Sequence, residues 1–158
     1  MKQDTAHSSQ WRTADIVFGF CLALGFTLDY LWPLSFLQLL QPDMLHLFGV
    51  PLLILCAAII YLSKRELARE EQPSIPQAAT MKIVKSGLFK YSRNPLYTGL
   101  VIGFIGLSIG TDTPWGLMLI LPMMLATYYF LILPEERYLT AKFGDEYLRY
   151  KASVRRWL

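Results

Sequence analysis

The sequence is poor in the residues from which disulfide frameworks and metal sites are built. Its 158 residues include two cysteines, Cys21 and Cys56, and two histidines, His7 and His46. Both cysteines lie in apolar stretches without C-x-x-C spacing, so neither a disulfide framework nor a zinc motif is indicated. We therefore expect no bound metal.

Charge is also scarce, since 17% of the residues are charged whereas 54% are hydrophobic. A soluble domain has about a quarter of its residues charged. The basic residues stand at the borders of apolar stretches and form no run interleaved with aromatics, so we expect no nucleic-acid partner. The polar start, residues 1–12, lacks a small-residue cleavage site and is interpreted as a tail instead of a cleaved signal peptide.

Four apolar segments predict an all-α, polytopic membrane protein in which residues 1–158 form a single domain. The segments run over about 14–31, 44–62, 96–110 and 115–133. A helix needs roughly 20 residues to cross a bilayer, so three segments qualify and the third is short. We expect four transmembrane helices in contact with membrane lipid.

The connections between these segments predict their orientation. Lysine and arginine crowd into the loop 63–95 and the tail after residue 134, whereas 32–43 and 111–114 have none. The positive-inside rule then places both termini and the 63–95 loop in the cytoplasm, in the cytoplasmic membrane if the protein is bacterial. The charged start of that loop should prolong the second helix. Residues 135–158 have apolar residues at three- and four-residue steps, which predicts a cytoplasmic amphipathic helix, or a pair divided at Gly144.

A polar stretch, KSGLFKYSRNPLYTGL (85–100), precedes the third apolar segment. Pro95 suits the first position of a helix, whose free amides attract anions, and Arg93 adds a forked donor for a carboxylate. Positive-inside anchoring with a helix cap is the alternative. Glu135 and Glu136 end the fourth segment, and such adjacent carboxylates suggest a positive partner, unless they form a solvated helix end.

Glycines at steps of three or four leave one face of the third segment bare. Either another helix packs closely there, or a flat ligand approaches. We expect a ligand to enter from the bilayer along this face, which consists of Gly99, Gly103, Gly106 and Gly110.

Taken together, the two polar blocks resemble the isoprenylcysteine carboxyl methyltransferase and phospholipid methyltransferase superfamily of membrane enzymes. The resemblance covers about 85–158 and has two parts. The first is SGLFKYSRNPLYTG, and the second is EERYLTAKFGDEYLRYKASVRRWL, which follows the fourth segment. The matching positions are Gly87, Phe89, Tyr91, Arg93, Asn94, Pro95, Tyr97, Gly99, Glu135, Glu136, Leu139, Phe143, Gly144, Tyr147 and Tyr150.

The resemblance implies S-adenosylmethionine as cofactor and methyl transfer to a lipophilic acceptor without a metal. It implies catalytic roles for Arg93, Asn94 and Glu136. Asn94 stands where the prenylcysteine enzymes usually have histidine, and asparagine does not titrate. The cofactor-binding residues that the resemblance implies are Tyr91, Arg93, Asn94, Pro95, Tyr97, Gly99, Glu135, Glu136, Tyr147 and Tyr150.

Two other functions stay open at this point. Membrane sterol reductases, which use NAD(P)H, share a similar carboxy-terminal architecture, but Leu96 stands where an asparagine is typical of them. A non-catalytic membrane subunit would be expected to lose Arg93, Tyr97 or the glutamate pair, and all are present. The acceptor is not indicated: a carboxylate, a thiol, an amine or another lipid group would each be compatible.

Overall fold

The computed structural model describes residues 14–34, 42–72 and 80–157, and across these ranges it is mostly helical and has no strand. The predicted polar tail, 1–12, lies outside the described residues. A 3-10 turn covers Gly87–Lys90, and a π-helical turn covers Tyr128–Ile132. The all-α prediction is therefore confirmed. The helices are α1 (Ala14–Leu31), α2 (Pro42–Arg69), α3 (Pro95–Gly110), α4 (Pro114–Met118), α5 (Ile120–Thr127), α6 (Leu133–Phe143) and α7 (Asp145–Ser153).

Within the described ranges, two helices are long and apolar enough to cross a membrane, Ala14–Leu31 and Asp43–Arg69. Helix α3 is apolar but shorter. Large apolar side chains on the outer faces of α1 and α2 are exposed, including Phe20 and Ile54. These faces are suited to contact with lipid chains. Four crossings and the orientation of the termini stay predictions.

Helix α2 continues beyond its apolar part into the charged stretch and ends at Arg69, as predicted. Beyond the helix, the buried Gln72 accepts hydrogen bonds at its Oε1 from the backbone N–H groups of Met81 and Lys82, at 2.7 and 3.2 Å. These bonds tie the returning chain to the end of α2.

The fourth apolar segment, expected as one helix over 115–133, is divided. A turn at Leu119 separates α4 from α5, and the π-helical turn follows α5. Proline supplies a reason in both places, because it has no N–H to donate to the carbonyl four residues earlier. Pro122 thus leaves the carbonyl of Met118 without its helical donor, and Pro134 follows directly on the widened turn.

The glycine face of α3 packs against α2, so the expectation that a ligand enters along it is wrong. A Cβ added to Gly103 would lie 2.5 Å from the Cys56 Sγ, and one added to Gly106 would lie 2.8 Å from the Leu52 Cβ. Gly49 on α2 faces α3 in the same way, because a Cβ added to it would lie 2.8 Å from the Gly106 carbonyl oxygen. The close approach of two backbones is what bare helix faces permit.

The other helices complete the core around α3. Phe18 and Cys21 of α1 pack with Val101, Phe104 and Met123 in one buried cluster. At the other end of the chain, Gly144 adopts φ 53° and separates α6 from α7, a backbone conformation that glycine adopts without steric cost. Of the two predictions for this segment, the helix pair is confirmed.

Candidate functional site

Glu136, in the first turn of α6, is 3% exposed and lies at the centre of a cluster of charged side chains. Arg156 donates two hydrogen bonds to it, Nε to Oε1 at 2.9 Å and Nη2 to Oε2 at 3.0 Å. The Arg93 Nη1 lies 3.2 Å from Oε1, and the Lys151 Nζ lies 3.3 Å from Oε2. We call these four residues the Glu136 cluster.

The three cations keep Glu136 ionised. Burial alone would raise the pKa of its carboxyl, but the Arg156 hydrogen bond and the charge of Arg93 outweigh it, and the pKa falls below its ordinary value. The reciprocal bond raises the pKa of Arg156. Three positive groups around one carboxylate leave the cluster with excess positive charge, which favours an anionic ligand.

Within this cluster, the guanidinium of Arg93 has nitrogen atoms that make no hydrogen bond. Its side chain is 8% exposed. Among the described residues, its Nε and Nη1 have no hydrogen-bond partner, although Nη1 is close to Glu136. A buried polar group without a partner is costly, by about 1–3 kcal/mol. These two nitrogen atoms can therefore donate hydrogen bonds to an acceptor atom of a ligand.

The end of the chain holds Arg93 in place through the backbone. The Arg93 N–H donates to the Arg155 carbonyl at 2.9 Å, beside a short parallel bridge between Ser92 and Arg155. The Asn94 Nδ2 donates to the Arg156 carbonyl at 2.9 Å. Asn94 is therefore in the site, and its amide binds the end of the chain, in a contact that spans 62 residues of sequence.

Helix α7 docks onto the polar stretch by further contacts. The Tyr150 hydroxyl donates to the Phe89 carbonyl at 2.8 Å, and the Lys85 Nζ lies 2.6 Å from the Glu146 Oε1. Tyr147 is 2% exposed, and burial, followed by the negative charge of Glu136, raises its pKa to about 12. The two sequence blocks thus form one site.

Glu135 differs from its neighbour Glu136 in its surroundings. It is half-buried, and the Tyr97 hydroxyl donates to its Oε2 at 3.4 Å. Burial raises the pKa of Glu135 to about 7; the Tyr97 hydrogen bond opposes the rise and the charge of Glu136 adds to it. A carboxyl group that is not enclosed by cations is free to face a positive group or hydroxyls of a ligand.

Most of the residues proposed from sequence meet here, but two do not. Tyr91 is 69% exposed and lines a separate cleft with Arg65 and Arg69. Gly99 faces Ile59 and Ile60 of α2. Pro95 is the first residue of α3 and directly follows Asn94. The site residues that the structure brings together are Arg93, Asn94, Pro95, Tyr97, Glu135, Glu136, Tyr147 and Tyr150.

Sequence reasoning missed the residues that the end of the chain contributes, which had been interpreted as positive-inside charge. The Arg156 guanidinium stacks on Tyr128, 5.0 Å from the ring centroid, as a cation–π pair. Trp157 packs against the buried cluster formed by Tyr97, Leu131 and Ile132. The available signal was a glutamate pair with no basic residue three or four positions further along its helix, together with the adjacent Arg155 and Arg156 near the end of the sequence.

The described part of the chain holds no group of three or more histidine, cysteine or acidic side chains that could bind a metal. The geometry instead suits an organic ligand that carries both a carboxylate and a cationic group.

The chain is similar to proteins of one known family. The family model "Phospholipid methyltransferase" matches residues 44–146, which include Arg93 and Glu136 but not Lys151 or Arg156. A protein of Haemophilus influenzae described as uncharacterized is 46% identical over 50 residues, which is 32% of this chain and 76% of that protein. No solved structure matches. Because the family model spans more than half of the chain, the protein belongs to the phospholipid methyltransferase family.

Proposed function

We propose that the protein is an integral membrane enzyme that transfers a methyl group from S-adenosylmethionine to a lipophilic acceptor. Membership of the family implies methyltransferase activity in general. The observation that carries the finer proposal is the Arg93 guanidinium: its buried Nε has no hydrogen-bond partner among the described residues, and its Nη1 has only the 3.2 Å ion-pair contact with Glu136.

The residues present fit S-adenosylmethionine. Its carboxylate suits the free donors of Arg93, because a guanidinium binds a carboxylate through charge-assisted, forked hydrogen bonds. Its ammonium or ribose hydroxyls suit Glu135, whose carboxyl group has Tyr97 as its hydrogen-bond partner. Glu136 is not free for this role, since Arg156 already occupies both of its oxygen atoms.

When bound, the cofactor supplies a methyl group activated by its sulfonium. Methyl transfer is an in-line displacement, so the protein's contribution is alignment and the exclusion of water. Glu136 pairs with Arg93, Arg156 donates to Glu136, and the Asn94 amide donates to the Arg156 carbonyl. Trp157 packs against the buried cluster that includes Tyr97. These contacts close one side of the cluster against solvent.

The lipophilic nature of the acceptor is supported by the family description and by the apolar outer faces of α1 and α2. The acceptor must reach the cluster by a route other than the glycine face, because α2 fills that face. Nothing in the cluster selects a carboxylate, thiol or amine acceptor.

Cofactor binding tests the proposal on the detergent-purified protein. We expect calorimetry to show binding of S-adenosylmethionine, weakened about tenfold or more by Arg93→Gln because a charge-assisted hydrogen bond is lost. Arg149→Gln, an exposed site on α7, is the matched control and should keep the wild-type affinity. Thermal unfolding of the same samples shows whether each variant is folded.

The acceptor is tested by incubating membranes that contain the protein with methyl-labelled S-adenosylmethionine. Label should enter the lipid extract and be located by mass spectrometry. Label confined to water-soluble products would contradict a lipophilic acceptor. A folded protein that binds NADPH and not S-adenosylmethionine would favour the reductase alternative, and one that binds neither would favour the non-catalytic subunit.

Orientation is part of the proposal: both termini and the 63–95 loop lie in the cytoplasm, after four crossings. The asymmetry of lysine and arginine among the connections supports it. Reporter fusions after Gln41 and Asp112 should report the outer side, and a fusion after Leu158 the cytoplasmic side. A cytoplasmic signal at Asp112 would contradict the proposed topology.

A further inference from the structure

A second site candidate is a cleft of about 450 Å³ between the charged end of α2 and the 3-10 turn Gly87–Lys90. It shares no residue with the Glu136 cluster. Four of its lining residues come from α2 and four from the turn and the residue after it. They are Leu62, Arg65, Glu66, Arg69, Gly87, Leu88, Lys90 and Tyr91.

The cleft contains positive charge without partners. Arg65 and Arg69 are four residues apart on α2 and so lie on the same face of the helix. Within the described residues, no hydrogen bond or ion pair is found for the side chains of Arg65, Arg69 or Lys90. By contrast, two lysines of the same loop have carboxylate partners: Lys82 lies 2.7 Å from Glu70, and Lys85 lies 2.6 Å from Glu146.

The carboxylate in the cleft belongs to Glu66, which lies against the backbone of the turn. A Cβ added to Gly87, whose φ is +56°, would stand 3.0 Å from the Glu66 Cγ and Cδ. Glu66 therefore faces the turn, while three cations surround the same space. The sum of these charges favours an anion.

The position of the cleft along α2 indicates where that anion comes from. Leu62 and Tyr61 are exposed and end the apolar part of α2, and Lys64 and Arg65 follow directly. The phosphate groups of a bilayer lie where its hydrocarbon core ends. Tyr91, 69% exposed, lines the cleft at this level, as aromatic residues do at membrane interfaces.

We propose that this cleft binds the phosphate group of an anionic phospholipid from the surrounding leaflet. Arg65 and Arg69 supply forked donors for phosphate oxygens, Lys90 supplies a point charge, and Leu62 contacts the first part of the acyl chains. Basic pockets at the cytoplasmic ends of membrane helices bind lipid headgroups in this way. The inference requires that α2 lies in a bilayer, and it does not depend on methyl transfer.

The test measures lipid binding to the whole protein in detergent micelles by native mass spectrometry. Phosphatidylglycerol is the anionic probe, and phosphatidylcholine, glycerol phosphate and inorganic phosphate are the comparisons. We expect phosphatidylglycerol to bind about tenfold more tightly than phosphatidylcholine and the soluble phosphates not to bind at millimolar concentration. Arg65→Gln/Arg69→Gln should weaken phosphatidylglycerol binding about tenfold or more.

The matched control is Lys64→Gln/Arg149→Gln, which removes the same charge from exposed positions outside the cleft. It should change phosphatidylglycerol binding by less than about twofold, because neither Lys64 nor Arg149 lines the cleft and so neither contacts the bound phosphate. An equal loss in both variants would show general attraction to anionic lipid and overturn the site. Equal binding of both lipids, or binding of the soluble phosphates as tight as that of phosphatidylglycerol, would also overturn it.

Two further measurements keep the result interpretable. Thermal unfolding in lipid-free micelles shows whether the double variant is folded; if it is not, Lys90→Gln tests the same cleft from the turn and should weaken binding about threefold. Calorimetry with S-adenosylmethionine on the same samples should be unchanged. A failure of the lipid site is thereby separated from a failure of the proposed enzymatic function.

Discussion

The α2–α3 interface and the Glu136 cluster are assembled by opposite means. The interface forms because side chains are missing: Gly49, Gly103 and Gly106 let two backbones approach. The cluster forms because long, positively charged side chains contact the Glu136 carboxylate. One of them, Arg156, is 20 residues away in the sequence. The interface is thus disrupted by adding an atom and the cluster by removing a charge, which suggests a test substitution and a control in each region.

The largest effect is expected from Glu136→Gln in the cluster. The change leaves the buried Arg93 and the partly exposed Arg156 without their counter-charge, and loss of one partner from a buried ion pair costs about 3–5 kcal/mol. We expect a large fall in the thermal unfolding midpoint in detergent, together with loss of S-adenosylmethionine binding.

Glu146→Gln is the control for this substitution, since it breaks an ion pair whose partners are about half exposed. Exposed pairs contribute about 0–1 kcal/mol. If Glu136→Gln were as stable as Glu146→Gln, the cluster would not hold the site together.

The corresponding substitution in the interface is Gly103→Ala. Its new methyl group would stand 2.5 Å from the Cys56 Sγ, and overpacking costs about 1–3 kcal/mol. Gly19→Ala on α1 is the matched control, because a Cβ there meets nothing within 4 Å. It should stabilise the helix by about 0.5–1 kcal/mol.

Thermal unfolding of both variants measures the difference, and adding Cys56→Ala should restore part of the stability of Gly103→Ala, because the two residues are in contact. A Gly103→Ala protein as stable as Gly19→Ala would show that α2 and α3 do not pack as closely as described.

A smaller effect is expected from Arg156→Lys, which keeps the charge but cannot make both hydrogen bonds to Glu136. Hydrogen bonds to charged groups contribute about 1.5–3 kcal/mol, and we expect a loss near the lower end because the charge remains. Arg155→Lys is the adjacent control: its side chain is exposed, and the substitution keeps the carbonyl that accepts from Arg93. Equal unfolding midpoints for the two variants would argue that charge alone, without forked geometry, secures Glu136.

The smallest effect concerns binding and not stability. Glu135, with a pKa of about 7, is ionised above that pH and neutral below it. If its carboxylate faces a positive group of the cofactor, affinity should fall as pH drops through 7, by less than about tenfold per pH unit. Calorimetry between pH 6 and pH 8 measures this slope, which Glu135→Gln should remove. An unchanged slope in Glu135→Gln would assign the titration to another group.

The sequence was enough to predict helix boundaries that depend on the backbone properties of a single residue. Pro95 opens α3 because its missing N–H is not needed at the first helical position, and Gly144 divides the last helices because its positive φ suits glycine. The division of the fourth apolar segment was missed, since hydropathy does not register that Pro122 removes a helical hydrogen bond.

By itself, the sequence determined that this is a helical membrane protein, and its two polar blocks were sufficient to indicate the family and most of the site residues. The sequence could not determine which residues contact the glycines of α3 or the carboxylate of Glu136. The glycines of α3 suited a ligand or a helix equally, and Cys56 and Leu52 of α2 settled the choice by lying there. The role of Glu136 was likewise decided in three dimensions, because its partners Arg93, Lys151 and Arg156 come from segments whose distance depends on how the whole chain folds back. Contacts between distant segments depend on the packing of every intervening helix, and no local pattern encodes that packing.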